Sequence, residues 1–442
     1  MRRFLTLLTL ALTATGILLA VWLLTPDKLL RQADAQTASL SGSVDFASPI
    51  KPPSMSGFLH SLDYPLPQSL LTPLKPVWWR IEPGNMGIYT QARSLGANVQ
   101  VVLSDGYGYP MDNWKGHGPP WENNWQAWEN YVRTTARAYK GLPVYWDVWN
   151  EPDEREWNRE TFWNGTQAQF FETYKRAYAI LRQELGASAV IGGPSLANYE
   201  QADLLAFLNY CKQNGLQVNF LSWHELWGPE DNIPSVSEHL KYMRRQMASY
   251  PSLKISKILI NEVVGEKNQY IPGAILGYLY YLEDGGADGA NKACWDASDK
   301  TQNCFNGTLD GIIHYKTKQP RAAWWVYNYY AAGIDSRVKT TSANKNLVLM
   351  ASKAPKQLLI SYIGKTAASK TTAKITLQNL ATLGIKTATL KASTYRIPAT
   401  GEKVLKTPAL MSTQTLKVSG GSALLSISGI KPQEAYRVVL SP

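Results

Sequence analysis

The chain has 442 residues, 45% of them hydrophobic, and its 45 Lys and Arg against 34 Asp and Glu give a net charge of +11. That length and apolar content exclude a disordered chain and predict one large, enzyme-sized domain with at least one smaller companion. Three cysteines exclude both a disulfide-stapled scaffold and a zinc site built from cysteines.

In chain order, Met1-Arg2-Arg3 precedes an uncharged run over 4–24, long enough to cross a bilayer and oriented by its leading arginines. Ala33-Asp34-Ala35 reads as a cleavage site, so residues 1–35 are a signal peptide or an uncleaved anchor, and either one exports the rest of the chain. Residues 36–53, rich in Ser, Ala and Pro, read as a linker. Short apolar or β-branched runs then recur at 57–60, 77–81, 98–103, 143–150, 189–193, 218–223, 258–261 and 289–295. Helical patterns separate most of them. The clearest spans 166–185: Thr166 and Gln169 form a capping box, Phe170, Tyr174, Tyr178, Leu181 and Leu185 form an apolar stripe, and Gly186 ends it. Eight strands alternating with helices over 54–335 predict an α/β fold, a (β/α)₈ TIM barrel. A doubly wound sheet would need a glycine-rich phosphate turn, and the sequence contains none.

Beyond 335 the composition changes. All 16 Trp lie at or before Trp325, and over 331–442 there are 16 Lys and Arg against three acids, a net charge of +13 that leaves −2 for the first 330 residues. Short alternating segments at 346–351, 357–363, 373–377, 388–395 and 435–440 predict that 336–442 is an antiparallel β-sandwich. Its lysines solvate faces and protect edges, and as a field they would also steer the domain toward an acidic polymer or an anionic membrane surface.

Catalytic groups of a barrel come from the C-terminal ends of its strands. Two such ends carry the same dipeptide: Asn150-Glu151 after the fourth strand and Asn261-Glu262 after the seventh. The run Trp146-Asp147-Val148-Trp149-Asn150-Glu151-Pro152-Asp153 resembles the acid/base motif of the retaining glycoside hydrolases of clan A, whose nucleophile sits where this chain has Glu262. Within the clan the chain is most similar to family 39, which holds β-xylosidases, α-L-iduronidases and some bacterial exopolysaccharide endoglycosidases. Ile191-Gly192-Gly193-Pro194 on the fifth strand and Phe220-Leu221-Ser222-Trp223-His224 on the sixth support the resemblance, as does the trailing sandwich. It implies that Glu151 is the acid/base and Glu262 the nucleophile, and that Asn150 bonds the sugar 2-hydroxyl. Two departures bear on the sugar: Leu226 stands where the family often has an aromatic, and Val263 follows the nucleophile where a Trp is common.

Position on the barrel marks further substrate-binding candidates. Arg80 ends the second strand, where clan members place an arginine that supports the nucleophile; a structural ion pair with Asp147 is its simpler role. His224 is expected to contact sugar or Glu262, His60 to line the site from the first strand, and Trp295, ending the eighth, to stack on a sugar face. Trp114 and Trp121, set among Gly and Pro, suit a cleft wall, whereas Trp125 and Trp128 have helical spacing and suit a helix face or core. Long third and fourth loops, which also hold Trp157 and Trp163, favour a groove and hence endo action on a polysaccharide. The alternatives are an exo-acting, β-xylosidase-like enzyme and a barrel that only binds polysaccharide.

Cys294 and Cys304 flank a polar segment after the eighth strand, and a disulfide pinning that loop beside the active face is expected in an oxidising compartment, with free thiols as the alternative. Cys211 reads as a buried helix cysteine. The five His lack metal-ligand spacing, no G-x-S-x-G elbow occurs, and the basic tail lacks the aromatic interleaving of a single-strand binder. No cofactor and no nucleic-acid partner is therefore expected.

Overall fold

The computed structural model describes residues 39–442 except 63, 105–123, 154–161, 164, 227–231 and 365–370. The expected signal or anchor lies outside the described residues. Strand β1 (Ser39–Pro49) comes first. Then β2 (Gly57–Leu59), β3 (Trp78–Ile81), β4 (Asn98–Leu103), β5 (Tyr145–Val148), β6 (Val190–Leu196), β7 (Phe220–Glu225), β8 (Lys257–Val263) and β9 (Gly289–Lys292) pair in parallel in that order. These are the eight barrel strands, so the fourth is β5 and the seventh β8. The two ends of the sheet meet because glycines stand where they touch. A Cβ on Gly57 would lie 2.1 Å from the Ala290 carbonyl, and one on Gly289 would lie 2.0 Å from Trp78 Nε1.

Helices α1 (Met86–Ser94), α2 (Trp125–Ala138), α3 (Gln167–Leu185), α4 (Gln201–Gln213), α5 (Ser235–Met247), α6 (Pro272–Gly285) and α7 (Ala322–Gly333) follow successive strands. Helix α3 carries the capping box of Thr166 and Gln169 and stops at Gly186, whose φ of 80° suits the residue without a Cβ. Phe170, Tyr174 and Leu181 are buried against the sheet, while Tyr178 and Leu185 pack at its margin. No described helix is long and apolar enough to cross a membrane.

The second domain holds β10 (Arg337–Ser342), β11 (Leu347–Ser352), β12 (Gln357–Tyr362), β13 (Thr372–Gln378), β14 (Thr389–Ile397), β15 (Ala409–Lys417), β16 (Ala423–Ser428) and β17 (Ala435–Ser441). The nine-stranded order is β15-β14-β17-β12-β11-β10-β1-β13-β16. Two expectations are corrected here. Residues 39–49 are not a linker: β1 threads between β10, antiparallel, and β13, parallel. The sheet is therefore mixed rather than wholly antiparallel. The physical reason is a sparse alternation, since Leu40, Val44 and Phe46 point to one side and are buried while small residues fill the intervals.

The two domains are packed, not tethered. Val348, Met350 and Leu359 of the second sheet belong to the same hydrophobic cluster as α6 and α7. Arg337 pairs with Glu283 at 2.9 Å, both buried, and Gln357 Nε2 donates to the Tyr329 carbonyl at 2.7 Å. Lys339, Lys374, Lys391 and Lys417 occupy exposed positions on the strands.

Because Phe46 is fully buried, Phe46→Ala should destabilise the second domain by about 3–5 kcal/mol. A denaturant-unfolding transition unchanged from wild type would mean that β1 contributes nothing to the sheet.

Candidate active site

The barrel interior is polar where most barrels are aliphatic. Gln100 on β4, Asp147 on β5, Asn261 on β8 and Asn291 on β9 all point inward and are buried. Asn291 Nδ2 donates to Gln100 Oε1 and Gln100 Nε2 to Asn261 Oδ1, each at 2.7 Å, and Asn261 Nδ2 donates to Asp147 Oδ2 at 2.8 Å. Ser195 Oγ donates to Asp147 Oδ1 at 2.6 Å. On this network sits Arg80 of β3, with no exposed surface. Its Nε reaches Asp147 Oδ2, its Nη1 Glu262 Oε1 and its Nη2 Asn150 Oδ1, each at 2.9 Å. One planar guanidinium thus ties β3 to the ends of β5 and β8. The ion pair with Asp147 weighed for Arg80 in the sequence is present, beside a contact with Glu262, one position before the strand's last residue, Ile81.

Glu151 stands just past β5 in the left-handed region, with φ 48°, as does Trp149, with φ 78°. A bulky residue holds that conformation only when its surroundings over-determine it. Here the Trp149 ring packs 5.4 Å from Trp128 and 5.0 Å from Trp163, whose own ring lies 5.8 Å from Phe170. The indole donates to the Phe162 carbonyl at 2.9 Å, the Trp149 amide to Leu103 O at 2.7 Å and the Glu151 amide to Ser195 O at 2.9 Å. Trp128 and Trp163 are core residues rather than cleft walls. Trp125 instead lies under the Arg176 guanidinium at 4.5 Å.

His224, near the end of β7, is fully buried, and its Nδ1 lies 2.7 Å from Glu151 Oε1. The sequence pointed it at sugar or Glu262; in the structure its hydrogen bond is to Glu151, with Glu262 beside it in register. Burial pushes its pKa down to about 4, although the Glu262 charge pulls the other way, so the imidazole is neutral at neutral pH. A carboxylate oxygen of Glu151, one of Glu262 and a ring nitrogen of His224 all lie within 4.8 Å of one another. Among the described residues no tyrosine hydroxyl reaches Glu262, in keeping with Leu226 at the position where an aromatic is common; Leu226 is buried, its carbonyl against Gly265.

The other candidates are less direct. His60 follows β2 and is 4% exposed, with Nδ1 on Glu82 and its ring 4.5 Å from Phe305. Burial works against its charge, but the carboxylates of Glu82, Asp310 and Glu262 together raise its pKa. Its partner is this acid, not an open groove. Trp295 does not end the eighth strand: β9 stops at Lys292, and Trp295 lies half-buried in the loop beyond, its Nε1 donating to Val264 O at 2.9 Å. Trp114, Trp121 and Trp157 lie outside the described residues.

Three buried groups escaped the sequence reading. Lys292 donates from Nζ to the carbonyls of Ala293 at 3.0 Å and Asp310 at 2.6 Å, and Asp310 Oδ2 accepts from the Leu59 amide at 2.7 Å. Burial lowers the lysine and raises the aspartate, favouring the neutral form of each. Asp153 Oδ1 accepts from the Ala197 amide at 2.8 Å, and burial pushes its carboxyl up to about 7.

Comparison with known proteins bears on this arrangement. Residues 114–265 match glycosyl hydrolases family 39. This stretch is similar to that family. It contains both asparagine-glutamate strand ends. A β-xylosidase of Caldicellulosiruptor saccharolyticus is 30% identical over 136 residues, which are 29% of this chain and 26% of that one, so the match spans about a quarter of the relative. Among solved structures, a protein from Neocallimastix frontalis superposes with a TM-score of 0.70 at 22% identity, covering 91% of this chain and 99% of the other. A family 39 enzyme from Xanthomonas axonopodis pv. citri gives 0.64 at 14% identity, covering 92% and 99%. A family 39 β-xylosidase from Caulobacter crescentus gives 0.57 at 14%, covering 91% and 100%. At these identities the likeness is one of fold, and it extends over both domains.

Arg80→Met should cost roughly 3–5 kcal/mol of stability, because Asp147 is left as a buried carboxylate without its cation. Thermal unfolding within a degree of wild type would contradict this. The depressed pKa of His224 means that the unfolded chain takes up a proton there below about 6.5 while the folded chain waits until about 4. As pH falls through that window, stability should therefore shift in favour of a His224→Asn variant relative to wild type. Imidazole NMR should show His224 uncharged at pH 5.5, and a midpoint near 6.5 would refute the assignment.

Proposed function

We propose that the chain is a retaining glycoside hydrolase, with Glu262 as nucleophile and Glu151 as acid/base, that cleaves O-glycosidic bonds of an extracellular polysaccharide. The observation that carries this reading is the pair of glutamates at the ends of β5 and β8, with carboxylate oxygens within 4.8 Å, one bonded to a buried guanidinium and the other to a neutral imidazole. Retaining enzymes place the two carboxyl groups about 5–5.5 Å apart, whereas inverting enzymes need room for a water between them. Arg80 holds Glu262 Oε1, which leaves the other oxygen to attack the anomeric carbon. As that bond forms, the bond from carbon to the leaving oxygen breaks and Glu151 delivers its proton to that oxygen. A water then gives a proton to Glu151, its oxygen attacks the anomeric carbon, and Glu262 is released. Asn150, with Oδ1 fixed on Arg80, keeps its Nδ2 for the 2-hydroxyl of the sugar.

Export from the cytoplasm rests on the uncharged run at 4–24, and endo action on the lengths of the loops after β4 and β5. The name of the Caldicellulosiruptor saccharolyticus relative favours a second reading, exo release of single sugars. The exposed lysines of the second domain support attraction of an acidic polymer or an anionic membrane.

Glu151→Gln and Glu262→Gln should each lower kcat on a natural polysaccharide by about 10²-fold or more with the fold retained by circular dichroism. With an aryl glycoside as substrate, azide should restore turnover to a Glu151→Gly protein. Near-normal activity of Glu262→Gln would remove the reading. Product sizing decides between modes, since a ladder of oligosaccharides marks endo cleavage and monosaccharide alone marks exo.

A further inference from the structure

The loop between β9 and α7 is built around a covalent closure. Cys294 and Cys304 form a disulfide with Cα atoms 5.1 Å apart. Each cysteine is followed by an aromatic residue, one anchored just past β8 and the other packed on His60. Trp295 follows the first, and its indole is hung on Val264, two residues past Glu262 in the chain. Phe305 follows the second, and its ring meets His60.

Asn303 joins these two limbs from inside. It is fully buried, and its Nδ2 donates to the Trp295 carbonyl and to Tyr270 Oη, each at 2.7 Å. Gln269 Nε2 takes the next carbonyl, that of Asp296, at 3.0 Å, and Thr308 Oγ1 takes the carbonyl of Asn303 at 2.8 Å. On the barrel side, the amide and hydroxyl of Ser61 both donate to the Cys304 carbonyl at 3.1 Å. From the second domain, Glu402 Oε1 accepts from the Ser298 amide at 2.7 Å. The Trp295 backbone is thus fixed by an amide that itself sits one residue from the disulfide. With the bridge open, the limb carrying Asn303 is held to the limb carrying Trp295 by the intervening loop and by hydrogen bonds alone.

We propose that Asn303 and the Cys294–Cys304 disulfide are positioning residues for Trp295, so that the affinity of the site for a sugar chain depends on the disulfide being closed. This rests on the glycoside hydrolase reading and on Trp295 as a sugar platform. Opening requires a dithiol, which gives two electrons and two protons to the sulfur–sulfur bond, leaves Cys294 and Cys304 as thiols, and closes to its own disulfide. The glutamates, Arg80 and His224 lie on other strands, so the effect falls on binding rather than on the bond-breaking step.

The test uses the full chain, oxidised and after dithiothreitol. Thiol labelling read by mass verifies that Cys294 and Cys304 have opened, while buried Cys211 remains unlabelled in the folded protein. On a cleaved oligosaccharide, reduction should raise KM roughly three- to tenfold, the size of one lost aromatic stacking contact, with kcat within about twofold. Reoxidation should restore KM. Asn303→Asp, which keeps shape but loses the Nδ2 donor, should raise KM in the oxidised protein, and a Cys294→Ala/Cys304→Ala protein should not respond to dithiothreitol. Unchanged KM with both thiols labelled overturns the proposal, as does a fall in kcat at constant KM. Amide hydrogen exchange over 293–311 separates this from the hydrolase reading: a protein that cleaves no glycan sinks that reading, whereas exchange in this loop that ignores reduction sinks this one.

Discussion

The candidate site depends on one buried cation. Arg80 has no exposed surface, and its guanidinium meets Asp147, Asn150 and Glu262 at hydrogen-bond distance. A guanidinium is planar and stays charged at any physiological pH, so its three contacts share one plane and one rigid geometry. Removing such a charge from water is costly, and the interior repays it only by satisfying the donors around it. That need accounts for the polar column beneath: Asp147 supplies the countercharge, Asn261 and Ser195 take the remaining lone pairs of Asp147, Gln100 completes Asn261, and Asn291 completes Gln100. The column displaces aliphatic layers from the barrel interior, an arrangement that trades apolar burial for fixed direction.

Direction is also supplied from outside the barrel. The turn after β5 runs through two residues in the left-handed region, Trp149 and Glu151, and neither is a glycine. Backbone strain of this sort costs of the order of 1–3 kcal/mol per residue and persists only under compensating contacts. Trp128 and Trp163 provide them by packing on the Trp149 indole, with Phe170 in turn packed on Trp163. The aromatic richness of the first 330 residues therefore does more than fill volume. Part of it holds the Glu151 backbone in a conformation that its own preferences oppose.

Much of this was legible in the sequence, and the exceptions have physical causes. The eight strands, their order and the two strand-end glutamates follow from short apolar runs punctuated by polar ends. So does the capped helix α3, because Thr166, Gln169 and Gly186 are local signals. Strand β1 was hidden because its inward residues, Leu40, Val44 and Phe46, are diluted by Ser, Gly and Ala, and because its partners β10 and β13 lie some 300 residues away in the chain. Local pattern carries no information about such pairing. Lys292 and Asp310 were missed for a related reason: each is charged in water, and only the three-dimensional enclosure between β2, β9 and the loop beyond makes them buried. The contact of His224 with Glu151 depends on the twist of neighbouring strands, which strand-end position alone does not specify.

The two glutamates share a residue type and a preceding asparagine, so their difference must come from their surroundings. Glu262 faces a full positive charge on Arg80, which suits the proposed role of a carboxylate attacking as an anion. Glu151 shares a hydrogen bond with His224, whose burial keeps it uncharged. A neutral imidazole at Nδ1 can donate to Glu151 when it is a carboxylate or accept from it when it is an acid, provided that its proton moves between ring nitrogens. An acid/base group must pass through both states in each cycle, and a permanently charged neighbour would favour one of them. Under the proposed reading, the asymmetry between Arg80 and His224, rather than the glutamates themselves, suits one carboxyl to attack and the other to proton transfer.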